Sequence, residues 1–153
     1  LTLQDGQVLS QSTLHLKLAT EDDLEVFLPL VKELFDHSVY SEVGTFDEEY
    51  VRKMFLNSFQ LGQDKVCSVL LYNDEEPVGV ISMSKTVMLA NAEDEMALEL
   101  AFWIKPEFRS LTSLRKLIQA YHYWAKLTQC KAVFLGKIKN RKAPEEYIVR
   151  RIK

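Results

Sequence analysis

The chain has 153 residues, 47% hydrophobic and 27% charged, with a formal net charge of −3. That composition sets aside a disordered or fibrous chain and predicts one compact domain with a buried core. The small acidic excess gives no bulk attraction to nucleic acid, and no apolar run approaches the roughly 20 residues that cross a bilayer.

The first residues, LTLQDGQVLSQST, lack a basic stretch leading into an apolar one, so no secretory leader is expected. Residues 1–13 read as an N-terminal extension and 14–153 as the domain. From Leu14 to Ala19 apolar and polar residues alternate, the period of a half-buried strand. Thr20 to Asp23 forms a capping box with Asp23 in the place of the usual Glu, and a helix follows. Its apolar face is Leu24, Phe27, Leu28, Val31, Leu34 and Phe35. After a polar loop with Gly44, Asp47 caps a second helix, whose apolar face is Tyr50, Val51, Met54 and Phe55.

Residues 65–72 (KVCSVLLY) and 77–88 (PVGVISMSKTVM) predict two strands joined by the turn residues Asn73 to Glu76. An acidic stretch, Asn91 to Glu95, separates this hairpin from a strand over 96–104. Pro106 ends that strand, and a long helix runs from about Ser110 to Thr128. Its predicted core stripe is Leu111, Leu114, Leu117, Ile118, Tyr121 and Trp124. Residues 131–138 predict a fifth strand, and Pro144 opens a last short helix that ends at Lys153. The order is β-α-α-β-β-β-α-β-α, an α/β fold with a mixed sheet. Three antiparallel strands precede a right-handed strand–helix–strand crossover, which makes the fourth and fifth strands parallel.

Cys67 and Cys130 lie in apolar segments and read as buried, reduced thiols in a cytoplasmic protein. His15, His37 and His122 have no ligand-like spacing, so no metal is expected. The basic residues near the C-terminus (Lys137, Lys139, Arg141, Lys142, Arg150, Arg151, Lys153) read as a solvated end of the chain.

The junction from Ile104 to Leu114 carries the chemistry. A strand hands over to a helix through a short loop with Pro106 and Arg109, and Lys105, Arg115 and Lys116 lie close by. Such a junction aims the unpaired N–H groups of a first helical turn at one point, which suits a phosphate.

Here the chain resembles the GCN5-related N-acetyltransferases. In that family a strand ending V-x-P-E-(Y/F)-R precedes a glycine-rich turn and the long helix, and this chain reads Ile104, Pro106, Glu107, Phe108, Arg109. The downstream pattern N-x-x-A-x-x-x-Y is matched by Asn140, Ala143 and Tyr147. The order of elements over residues 14–153 agrees as well. The chain departs from the family at the diphosphate turn, where Thr112 and Leu114 stand at the two small-residue positions. Glycine there lets backbone N–H groups approach the pyrophosphate without an intervening Cβ. The family also closes its sheet with a terminal strand pair, for which the chain leaves no residues before Lys153.

The resemblance implies an acetyl-CoA-dependent N-acetyltransferase acting on an amine of a small molecule or protein. It implies Phe102, Trp103 and Ile104 as backbone contacts to the cofactor. Arg109, Ser110, Leu111, Thr112, Ser113 and Leu114 form the diphosphate turn, and Asn140 adds a further contact. Tyr147 is the implied acid for the leaving thiolate and Glu99 the base, with Glu93 and Glu95 in reserve; a helix-packing tyrosine and a solvent-facing glutamate are the plain alternatives. Acceptor specificity is implied in the loop from about Asp36 to Phe46. The other reading is a GNAT-fold protein that has lost catalysis and serves as a structural or interaction subunit. Divergent members of this kind occur among phage-encoded proteins, some of them virion components. An open sheet edge would then serve a protein partner or a second copy.

Overall fold

The computed structural model describes residues 13–137 and 146–152. In chain order these form β1 (Leu14–Leu18), α1 (Leu24–His37), α2 (Tyr40–Val43), α3 (Glu48–Leu61), β2 (Val66–Asn73), β3 (Glu76–Met88), β4 (Asn91–Ile104), α4 (Leu111–Leu127), β5 (Ala132–Lys137) and β6 (Glu146–Arg151). The strands make one six-stranded sheet in the order β1-β2-β3-β4-β5-β6. Neighbours are antiparallel except β4 and β5, which run parallel across the α4 crossover. This is the mixed α/β architecture expected from the sequence.

Local chemistry sets the starts of the helices. Asp23 accepts the Thr20 N–H at 2.8 Å and the Thr20 hydroxyl at 3.2 Å, and its other oxygen takes Lys17 at 2.6 Å. Asp47 accepts the Tyr50 N–H at 3.0 Å and so caps α3. At the far end of α3, Gly62 stops the helix with φ of 103°, a conformation that costs a residue with a Cβ.

The sheet has a core on each face. On one side Phe27 and Leu30 of α1 and Phe55 of α3 pack with Leu70, Val80 and Trp103. On the other, Leu117, Tyr121, Trp124 and Ala125 of α4 pack with Val69, Leu71, Ile81, Met83, Ala97 and Ile104. Cys67 and Cys130 are buried free thiols, and burial pushes the Cys67 thiol up to about 11. Among the described residues no helix is long and apolar enough to cross a membrane.

Three expectations are corrected. The acidic stretch 91–95 is part of β4, which begins at Asn91 and forms a long hairpin with β3. Its acids fit the strand because Lys131 pairs with Asp94 and Lys85 lies 3.4 Å from Glu95. The last element is strand β6, antiparallel to β5, where a helix was expected. The run Tyr147, Ile148, Val149 has strand preference, and it outweighs the helix-opening cue of Pro144 followed by two glutamates. The sheet therefore continues by one strand past β5, so that one strand of the terminal pair expected to be missing is present.

The third correction concerns α4. Leu111 and Leu114 are 60% and 37% exposed, whereas Ser113 and Leu117 are fully buried. The inward line is Ser113, Leu117, Tyr121 and Trp124, because the turn at Ser110 points Ser113 at the sheet. Leu117→Ala is therefore expected to cost about 2–5 kcal/mol in urea unfolding. Leu114→Ala should stay within about 1 kcal/mol. Equal losses would mean that Leu114 is core after all.

Candidate active site between the fourth and fifth strands

β4 pairs with β3 from Glu95 to Ile104, apart from Leu100, and with β5 only over three residues at its middle. The parallel pairing runs Met96↔Ala132, Ala97↔Val133 and Leu98↔Phe134, and stops there. From Glu99 to Ile104 no strand pairs with that side of β4 among the described residues. The strands thus part into a slot roughly 20 Å long, at about 3.3 Å per residue over six residues.

The backbone of β4 faces the slot at chosen residues. The Lys105 N–H donates to the Val78 carbonyl at 2.8 Å, in register with the pairs Val80↔Trp103 and Ser82↔Ala101. By the alternation of an antiparallel ladder, Ala101 and Trp103 give their backbone groups to β3. Phe102 and Ile104 direct theirs into the slot. Of the three residues named as backbone contacts, Trp103 thus turns its backbone groups to β3, and Phe102 and Ile104 turn theirs to the opposite side. Gly79 permits this close pairing, since a Cβ there would lie 2.9 Å from the Trp103 carbonyl oxygen.

A bulge at Leu100 sits where the slot opens. The register steps from Met83↔Glu99 to Ser82↔Ala101, leaving Leu100 without a partner and 56% exposed. A one-residue bulge exchanges the faces of a strand. Ala97 and Ile104 consequently pack in the α4 core, while Trp103 packs in the α1 core.

The closed end of the slot holds Glu99. Burial pushes its carboxyl above the ordinary glutamate range, and the Gly136 backbone N–H pulls in the opposite direction. Tyr121 lies beside it, fully buried, with its hydroxyl donating to the Phe134 carbonyl at 2.7 Å. Burial pushes that hydroxyl up, and Glu99 adds to the effect.

The open end is the junction into α4. Ser110 Oγ accepts the Ser113 N–H at 3.0 Å, and Ser113 Oγ accepts the Ser110 N–H at 2.9 Å. The Ser113 hydroxyl donates to the Phe108 carbonyl at 2.8 Å. Side chains therefore shape this turn, and the N–H groups of Ser110 and Ser113 are consumed inside it. Leu111 and Thr112 keep first-turn N–H groups with no acceptor in their own helix.

Arg109 turns back over the end of β4. Its Nε donates to the Ile104 carbonyl at 2.9 Å, and its guanidinium carbon stands 4.7 Å from the centre of the Trp103 ring. Trp103 donates its indole N–H to Glu33 at 2.9 Å, and the His37 ring lies 5.1 Å away. The His37 Nδ1 is 2.8 Å from the Glu33 carbonyl. A carbonyl only accepts, so Nδ1 carries the hydrogen and Nε2 of the neutral ring holds the lone pair. The expectation for Arg109 was the α4 turn; its guanidinium instead lies on the α1 side of the sheet.

The sequence reading missed Tyr121, Glu33 and His37. Tyr121 was read as core, and the other two are an i,i+4 pair that the sequence does not set apart from the neighbouring pair Lys32 and Asp36. Asn140 lies outside the described residues. Tyr147 is on β6 opposite Gly136, so the helix face expected to present it at the slot does not exist.

Glu99 supplies a stability test. A carboxyl raised in the folded state costs nothing below its unfolded pKa, where both states are protonated. The cost grows as pH climbs past the ordinary value of about 4.3 and is complete above the raised one. Glu99→Gln, which keeps an acceptor for Gly136, should therefore raise the Tm at neutral pH and leave it unchanged at about pH 3. A gain of equal size at both pH values would place the effect elsewhere.

No protein-family model and no curated protein matches the sequence. Solved structures do match the fold. A GNAT family acetyltransferase from Staphylococcus aureus superposes with a TM-score of 0.60 at 21% identity, over 79% of this chain and 84% of that one. An aminoglycoside 6'-N-acetyltransferase from Acinetobacter baumannii gives 0.64 at 17%, over 79% and 77%. A second aminoglycoside N-acetyltransferase, determined in complex with CoA, gives 0.65 at 16%, over 80% and 75%. Element order, the parted β4 and β5 strands and these superpositions agree: the chain has the fold of the GCN5-related N-acetyltransferases.

Proposed function

We propose that the chain is an N-acetyltransferase that takes acetyl-coenzyme A along the slot between β4 and β5 and acetylates an amine. One observation carries this reading: the backbone N–H groups of Phe102 and Ile104 and the Phe102 C=O face a strand edge that β5 leaves unpaired among the described residues, the Ile104 C=O being taken by Arg109. An extended amide chain such as the pantetheine arm pairs with such an edge as another strand would. When bound, the cofactor supplies an acetyl group activated as a thioester. The N–H groups of Leu111 and Thr112, with the Thr112 hydroxyl, are the donors placed for its phosphates. Glu99, at the closed end, accepts the proton that an ammonium acceptor must lose before it reacts. Its partial burial makes it a stronger base than an exposed glutamate.

The non-catalytic reading is favoured by a different observation. The reciprocal Ser110–Ser113 bonds use up two N–H groups at the helix start, and Thr112 and Leu114 carry side chains where the family has small residues.

Calorimetric titration of the chain with acetyl-coenzyme A separates the two readings. Saturable binding together with acetylation of an amine supports the enzyme, and an absence of heat at millimolar ligand supports the structural subunit. Exchanging Thr112 for Gly and Leu114 for Ala should tighten binding, at a stability cost of about 1 kcal/mol for glycine in the helix. An unchanged dissociation constant in the folded double variant would show that these side chains do not limit the donor's approach.

A further inference from the structure

We infer that Arg109 anchors a carboxylate on the acceptor, so that the amine acetylated is one that also carries a carboxylate, as an amino acid does. The inference rests on the acetyltransferase reading and adds the substrate class to it. Of the five donors on the guanidinium, only Nε is engaged among the described residues, by the Ile104 carbonyl. Among the described residues Arg109 forms no ion pair, although Glu33 binds the same indole that the guanidinium covers. The two Nη groups are left as an uncommitted fork, the geometry that matches a carboxylate with two parallel bonds.

The fork is also held in place. The Nε bond fixes one edge of the guanidinium, and stacking on Trp103 at 4.7 Å fixes its plane. Trp103 is in turn set by Glu33 and by packing in the α1 core. A side chain ordered before the ligand arrives loses less entropy on binding.

Position distinguishes the acceptor from the donor. α4, whose first turn offers N–H groups to phosphates, packs on the opposite face of the sheet from Trp103. The fork therefore lies at the slot rim on the α1 side, over the indole that the His37 ring also contacts. That side also holds the start of the loop that the sequence reading assigned to acceptor specificity. A ligand with its carboxylate on the fork and its amine reaching over the rim would enter the slot opposite the donor's phosphate end.

The test uses the full chain with acetyl-coenzyme A and matched acceptors. These are ω-amino acids from glycine to 6-aminohexanoate, each beside its carboxamide. At the best chain length kcat/KM should favour the carboxylate by about ten- to a hundredfold, the worth of a charge-assisted pair. Arg109→Gln should abolish that preference, read as the ratio of kcat/KM between each acid and its carboxamide, and Arg109→Lys should restore part of it. No preference at any length overturns the inference, as does a preference that survives Arg109→Gln.

If no amine is acetylated, the acetyltransferase reading fails and binding judges the anchor by itself. The Trp103 indole N–H signal in a ¹H–¹⁵N spectrum should shift with a member of the ω-amino acid series and not with its carboxamide. The shift should vanish in Arg109→Gln. The Trp124 indole, bonded to the Gln63 carbonyl at 2.7 Å, serves as the internal reference. A Trp103 signal that no member of the series moves overturns the inference.

Discussion

β4 pairs with β3 over ten residues and with β5 over three, and the rest of the molecule is arranged around that inequality. A strand in mid-sheet normally has both edges satisfied, because an unpaired backbone group away from water is costly. Here the uncovered edge lies between two helical layers, so it is sheltered on both faces without being paired. An extended ligand with its own amides relieves that cost by completing the ladder.

The Leu100 bulge decides what each layer offers to the opening. Without it, Glu99 and Trp103 would share a face. With it, Glu99 joins Tyr121 and Gly136 on the α4 side, while Trp103 joins Glu33, His37 and Arg109 on the α1 side. One extra residue thus separates a half-buried carboxyl from a stacked, charged wall on the other face of the strand.

Much of the fold was legible in the sequence. Thr20, Asp47 and Ser110 mark helix starts by chemistry that acts within four residues, and the β2–β3 hairpin follows from apolar runs flanking turn residues. What depended on distant partners was not legible. The acids of β4 look like a loop until Lys131 and Lys85 arrive from elsewhere to neutralise them. The segment after Pro144 has helix cues at its start and strand cues in its middle, and only β5 beside it decides between them. At the site, the motif from Ile104 to Arg109 pointed to the right junction. It gave no hint that Arg109 would fold back on Trp103, because that contact needs α1 to orient the indole first.

The short β4–β5 seam also has a mechanical meaning. Beyond Leu98 and Phe134 the sheet is two leaves joined at one margin, with β1 to β4 as the broad leaf and β5 with β6 as the narrow one. Sheets resist shear through their ladders, so a leaf attached over three rungs swings more readily than one attached over ten. The Tyr121 hydroxyl on the Phe134 carbonyl and the Lys131 N–H on the Glu95 carbonyl act as rivets beside that seam. Val133, Leu135 and Ile152 of the narrow leaf pack into the α4-side core, so the seam's position is set by that packing as well as by its three rungs.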